Sequence, residues 1–179
     1  MADPKSGANP LFLREEELHQ AIEMLFLAYR DLTAEPDAAL SRHGFGRAHH
    51  RVVYFVGRHP RINVSDLLAI LKITKQSLSR VLRQLIEQDF IEQHPGRRDR
   101  RQRLLELTAK GVVLERRLSQ RQRAGIARAF RAAGAEAVDG FRKVLMGIIG
   151  PKDLTRIARP STHDRENLSG KIGVDSAGK

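Results

Sequence analysis

The stretch NVSDLLAILKITKQSLSRVLRQLIEQDFIEQHPGRRDRRQRLLELTAKG, residues 63–111, decides the fold. Val64, Leu67, Leu68, Leu71 and Ile73 recur at the spacing of an amphipathic helix, with Ser65 as its candidate N-cap. A second apolar stripe follows at once: Leu78, Val81, Leu82, Leu85 and Ile86. Thr74 is its natural N-cap, because a hydroxyl there can accept from an orphan backbone N–H. Only a residue or two separates the two helices, which is the spacing of a helix-turn-helix. Beyond them, Phe90 and Ile91, then Leu104, Leu105 and Leu107, predict two short strands, with PGRRDRRQ as the hairpin loop and Pro95 and Gly96 as turn residues.

The second helix, over about 74–88, turns its apolar stripe inward. Lys75, Gln76, Ser79, Arg80 and Arg83 share the other face and cluster towards its N-terminal half. These side chains can hydrogen-bond base edges and phosphates, and in a helix-turn-helix the N-terminal half of the second helix enters the major groove. An ordinary solvated helix face would carry similar residues. The context separates the two readings, since acidic residues come only at the end, at Glu87 and Asp89, and a hairpin with a basic tip follows. Arg97, Arg98, Arg100 and Arg101 surround Asp99 at that tip, over a wing of about 90–107. A basic tip beside such a helix suits the DNA backbone or the minor groove, whose negative potential favours Arg. Asp99 supplies a local counter-charge that can accept from Arg101 and direct its side chain. Together these elements spell a winged helix-turn-helix over 37–108.

Residues 63–111 resemble the MarR family of bacterial transcriptional regulators. Asp99 and Arg101 stand as its D-x-R, and Leu107, Thr108 and Gly111 as its L-T-x-x-G. The flanking helices agree with the family plan over about residues 11–150. The resemblance implies a homodimer whose first and last helices intertwine and which presents two winged helices to a pseudopalindromic operator. It makes Ser79 and Arg80 the base-contacting pair, Arg101 the minor-groove arginine and Asp99 its ion-pair partner. It also implies a small effector, often an aromatic or phenolic acid, that binds between the dimer helices and the DNA-binding lobe and releases DNA.

The rest of the chain is consistent with that plan. Leu18, Ile22, Leu25, Phe26, Tyr29 and Leu32 predict a helix over 11–34, ended by AEPD, where Pro36 removes a backbone donor. A short helix over 37–43 follows, then a turn at HGFG, a helix over about 47–58 and a loop at RHPRIN. Thr108 caps a long helix running towards Phe130. After a break at AAGAE, a last helix covers about 135–149. Residues 1–10 read as a flexible leader and 159–179 as a disordered tail. The expected architecture is mainly α with a small β-wing, in which 11–34 and 109–150 are dimerisation helices and a two-fold copy covers their apolar stripes.

Composition sets outer bounds. The 179 residues carry a formal net charge of +11, which attracts polyanions, and hydrophobic residues make up 41%, enough for a core of mostly Leu, Ile, Val and Ala. There is no cysteine, so thiolate metal sites, disulfides and the family's thiol-based peroxide sensing are excluded. No signal peptide, membrane span or enzyme motif is present, and no cofactor is called for; a cytoplasmic non-enzyme with double-stranded DNA as partner is expected. His43, His49, His50 and His59 crowd one region, but adjacent helical positions point about 100° apart. No carboxylate occurs between Ser41 and Asn63 to complete a metal site, so these histidines read as capping or DNA-facing groups. Two further functional readings stand beside the leading one: a non-specific architectural nucleic-acid-binding protein without an effector, and a winged helix that meets an acidic protein.

Overall fold

The computed structural model describes residues 13–96 and 99–157. The expected leader at 1–10, the tail at 159–179, and Arg97 and Arg98 lie outside the described residues. The elements run α1 (Glu15–Ser41), α2 (Arg47–Arg58), β1 (Ile62–Asn63), α3 (Val64–Leu71), α4 (Lys75–Glu87), β2 (Ile91–Pro95), β3 (Arg103–Leu107), α5 (Ala109–Ala133), α6 (Ala135–Ile148) and α7 (Pro151–Ile157). The strands form an antiparallel sheet in the order β1-β3-β2, with Ile91 opposite Leu107 and Pro95 opposite Arg103.

The core is centred on the winged helix-turn-helix, and Leu40 of α1 and Leu114 and Leu118 of α5 join it. Val52, Val53 and Val56 of α2 meet Leu67 and Leu71 of α3, Leu78, Val81, Leu82 and Leu85 of α4, and Ile91 and Leu105 of the sheet. Full burial of each such side chain contributes roughly 1.5–3 kcal/mol. The periodicity of α3 and α4 and the pairing of the wing follow the sequence expectation. Thr74 caps α4, accepting from Ser77 N–H at 3.1 Å, and Thr108 caps α5, accepting from Gly111 N–H at 3.0 Å.

Five features differ from expectation. First, α1 runs unbroken through Pro36, and the separate helix over 37–43 does not form. Pro36 has no N–H for the carbonyl of Leu32, but Gln122 of α5 donates its side-chain amide to that carbonyl at 3.2 Å, and Pro36 itself is buried. Second, RHPRIN is not all loop: Ile62 and Asn63 pair with Leu105 and Leu104 as a third strand. Third, that pairing holds Asn63 in an extended conformation immediately before α3, so Asn63, not Ser65, is the N-cap and accepts from Asp66 N–H at 2.8 Å. Fourth, Pro95 is the last residue of β2, and Gly96 closes the hairpin by donating to Gln102 O at 3.0 Å. Fifth, Pro151 opens a seventh helix, which an ion pair of 3.2 Å between Lys72 and Asp153 ties to the lobe.

Outside the core, α1 exposes Leu18, Ile22, Phe26 and Tyr29, and α6, which buries no residue, exposes Phe141, Val144 and Ile148. Among the described residues no helix is long and apolar enough to cross a membrane.

Candidate nucleic-acid interface

The surface begins with how α4 is held. Leu78, Val81, Leu82 and Leu85 fix its inner face in the core, so Lys75, Gln76, Ser79, Arg80 and Arg83 all lie exposed along the outer one. Among the described residues no side chain of these five forms a hydrogen bond or ion pair, which leaves their side-chain donors and acceptors available. His49 Nε2 meets Gln84 Oε1 at 2.8 Å and ties α4 to α2.

The far end of α4 explains the L-T-x-x-G pattern. Asp89 adopts the left-handed conformation (φ 61°), Phe90 N–H reaches back to Leu85 O at 2.8 Å and Asp89 N–H to Ile86 O at 3.0 Å, which is a Schellman closure. Thr108 then donates its hydroxyl to Asp89 O at 2.7 Å while accepting from Gly111. Lys110 donates to Gln88 O at 2.7 Å and places its ammonium 4.4 Å from the Phe90 ring centre, a cation at the negative end of α4. A Cβ on Gly111 would lie 2.0 Å from Phe90 O, so only glycine lets α5 start this close to the wing. One junction thus fixes the recognition helix, the root of the wing and the first turn of α5 relative to one another.

At the wing tip Asp99, Arg100 and Arg101 are exposed. Asp99 does meet Arg101, but through the backbone: Oδ1 accepts Arg101 N–H at 2.9 Å, and the two side chains form no ion pair. The carboxylate therefore shapes the tip and leaves the Arg101 guanidinium free of it, a correction to the expected side-chain contact.

The histidines part company. His49 is buried and accepts from Gly46 N–H at Nδ1 (3.1 Å), capping α2, with Phe45 stacked on it at 4.5 Å. His50 is buried too and is not DNA-facing; its side chain bonds Gln122 and lines a cavity of about 650 Å³ between α1, α2 and α5. Burial holds its pKa below the ordinary imidazole value, against smaller upward pulls from Asp37, the Gln122 bond and Glu115. His43 contacts the rings of Phe45 and Phe90, and His59 stacks on Phe55. Among the described residues no three His, Asp or Glu side chains are placed to hold a metal.

That cavity had no signature in the sequence, because its wall comes from three separated elements. Arg47, Arg51, Arg58 and Arg123 line it against a single carboxylate, Glu115, which Ser119 hydrogen-bonds. Tyr29, Tyr54, Phe55 and Phe130 supply aromatic surface.

Comparison with known proteins follows the same lines. A family model described as MarR family matches residues 43–102. The chain is also 51% identical over 145 residues to the HTH-type transcriptional regulator PetP of Rhodobacter capsulatus, covering 81% of this chain and 87% of that one. The chain belongs to the MarR family. Members of the MarR family are helix-turn-helix transcriptional regulators, not enzymes. The fold agrees with solved MarR-type structures. Streptococcus pneumoniae FabT in complex with DNA is similar at a TM-score of 0.63 and 19% identity, over 73% of this chain and 94% of that one. A Mycobacterium tuberculosis MarR family protein, Rv2887, in complex with p-aminosalicylic acid, is similar at a TM-score of 0.50 and 23% identity, over 70% and 95%.

Proposed function

We propose that this MarR-family chain is a homodimeric, sequence-specific regulator that binds pseudopalindromic duplex DNA and releases it when a small organic acid occupies the cavity. The observation that carries the reading is the uncommitted outer face of α4 beside a basic wing. In it Lys75, Gln76, Ser79, Arg80 and Arg83 enter the major groove, with Ser79 and Arg80 on base edges. Arg97, Arg98, Arg100 and Arg101 follow the flanking backbone and minor groove, and Asp99 keeps the tip in shape. The capture of FabT with DNA supports this use of the fold.

Dimerisation explains the apolar side chains exposed on α1 and α6, which in this reading a two-fold copy covers. Residues 15–41 and 109–148 then form the dimer body and 45–108 the reading lobe, with the two α4 helices about one DNA turn apart (~34 Å). Effector control draws on the cavity. Its volume suits a small molecule, its arginines suit an acid and its aromatic rings suit a planar one. The Rv2887 complex with p-aminosalicylic acid supports that class.

The test is selection of bound duplexes from a random pool, followed by affinity measurements on variants. Arg80→Ala should lose discrimination at one position of the selected site, about 1–3 kcal/mol for a lost base contact. Arg101→Ala should weaken all duplexes alike and reduce the salt slope by about 1. Wild-type affinity in both variants across a salt titration would refute the assignment. Equal binding to selected and bulk DNA by the wild type would instead favour a non-specific architectural protein.

A further inference from the structure

Four arginines line the cavity, and their existing commitments differ. Arg47 Nε pairs with Asp37 Oδ2 at 2.7 Å, and the other oxygen of Asp37 is buried without a hydrogen-bond partner. Withdrawing Arg47 would strand that carboxylate, which is costly. Arg123 has no hydrogen bond or ion pair among the described residues. Arg51 is held differently: its Nη2 donates to the backbone carbonyl of Leu71 at 3.0 Å.

Leu71 is the last residue of α3, so its carbonyl has no partner within the helix and sits at the negative end of the helix dipole. Lys72 follows in the left-handed conformation (φ 51°), then Ile73 and Thr74, and α4 begins. Arg51 therefore anchors the turn between the two helices of the helix-turn-helix, and it also lines the cavity. Release of Arg47 strands a carboxylate, whereas release of Arg51 strands only a neutral carbonyl. A carboxylate offers a full charge and two parallel acceptors, a better partner for a guanidinium than a single carbonyl oxygen.

We infer that Arg51 is the strut between cavity and helix-turn-helix: it pins the Leu71–Thr74 turn in the DNA-binding form, and an organic anion in the cavity takes it away. The inference rests on the reading of the cavity as an acid site. It adds the residue through which occupancy is felt at Lys75 and Gln76, the first residues of the DNA-reading face. Arg51 is a positioning residue for DNA and a contact residue for the acid.

The test uses the full chain, Arg51→Met, Arg51→Lys and the control Arg123→Met, with benzoate as probe. Without ligand, Arg51→Met should accelerate amide hydrogen exchange at residues 72–75 and lower affinity for the selected duplex about tenfold, within the range of coupling free energies between sites. Lys keeps the charge and should recover part of both. Arg123→Met should bind benzoate more weakly without accelerating exchange at residues 72–75. In wild type, benzoate should reproduce the exchange increase seen in Arg51→Met, and in Arg51→Met it should add nothing. Unchanged exchange and DNA affinity in ligand-free Arg51→Met overturn the strut, whatever the probe does. Failure of benzoate to bind wild type, with the Arg51→Met effects present, overturns the acid reading of the cavity and the release of Arg51 by an anion, and leaves only the pinning of the Leu71–Thr74 turn standing.

Discussion

Replacing Gly111 by Ala sets helix propensity against packing, and the structure says which wins. By propensity alone Ala stabilises a helix over Gly by about 1 kcal/mol. The added Cβ, however, would lie 2.0 Å from Phe90 O and 3.3 Å from Leu107 Cβ, so helix and strand root must separate by more than an ångström. The obstacle is backbone that already accepts Thr108 N–H at 3.2 Å. Overpacking of this kind costs about 1–3 kcal/mol, and stretching one backbone hydrogen bond about 1 more. The net expectation is destabilisation by about 2 kcal/mol, a Tm drop of roughly 4–8 °C for a chain of this size. Gly125→Ala is the internal control: it lies in the same helix with nothing within 4 Å of the new Cβ and should be stabilising. Urea unfolding of wild type and both variants gives the answer. Gly111→Ala as stable as Gly125→Ala would refute the argument that this junction locks wing, recognition helix and α5 together. If the lock holds, Gly111→Ala should also weaken DNA binding by displacing the wing.

His50 should make stability depend on pH. Its folded pKa lies below its ordinary value of 6.5, so the unfolded chain binds the extra proton first, and stability present above 6.5 is lost as pH falls through the interval down to the folded pKa. Between about pH 7.5 and 5.5, wild type should therefore lose more stability in urea than His50→Gln, and parallel curves would refute this. Light scattering should give twice the 20.2 kDa chain mass for wild type and a smaller mass for Phe26→Asp or Val144→Asp, which place a charge among the exposed apolar side chains of α1 and α6. A wild-type protein of single-chain mass would contradict the dimer.

What the sequence made legible was local. Thr74 and Thr108 cap helices that begin one residue later, the stripes of α3 and α4 repeat within a dozen residues, and β2 and β3 are joined by a short loop. What it hid depends on distant partners. Pro36 reads as a helix end until Gln122, from α5, is seen to serve the carbonyl it leaves open. Ile62 and Asn63 are too few to show strand character, and only pairing with Leu104 and Leu105 makes them a strand and moves the cap of α3 from Ser65 to Asn63. At the site, the exposed face of α4 followed directly from its apolar stripe, whereas the cavity, drawn from α1, α2 and α5, did not. The histidines looked alike in sequence and were sorted by depth: His49 became a cap and His50 a cavity wall. Asp99 turned out to hold the Arg101 amide, because a two-residue separation in a tight loop favours the backbone donor.

Competition between the selected duplex and bulk DNA at one fixed salt concentration tests the central claim most directly. Charge alone binds both, so only base contacts from α4 can separate them. Sequence-specific reading predicts a preference of at least about 10³ for the selected site, lost to a large extent in Arg80→Ala. A ratio near unity for the wild-type protein would contradict the account.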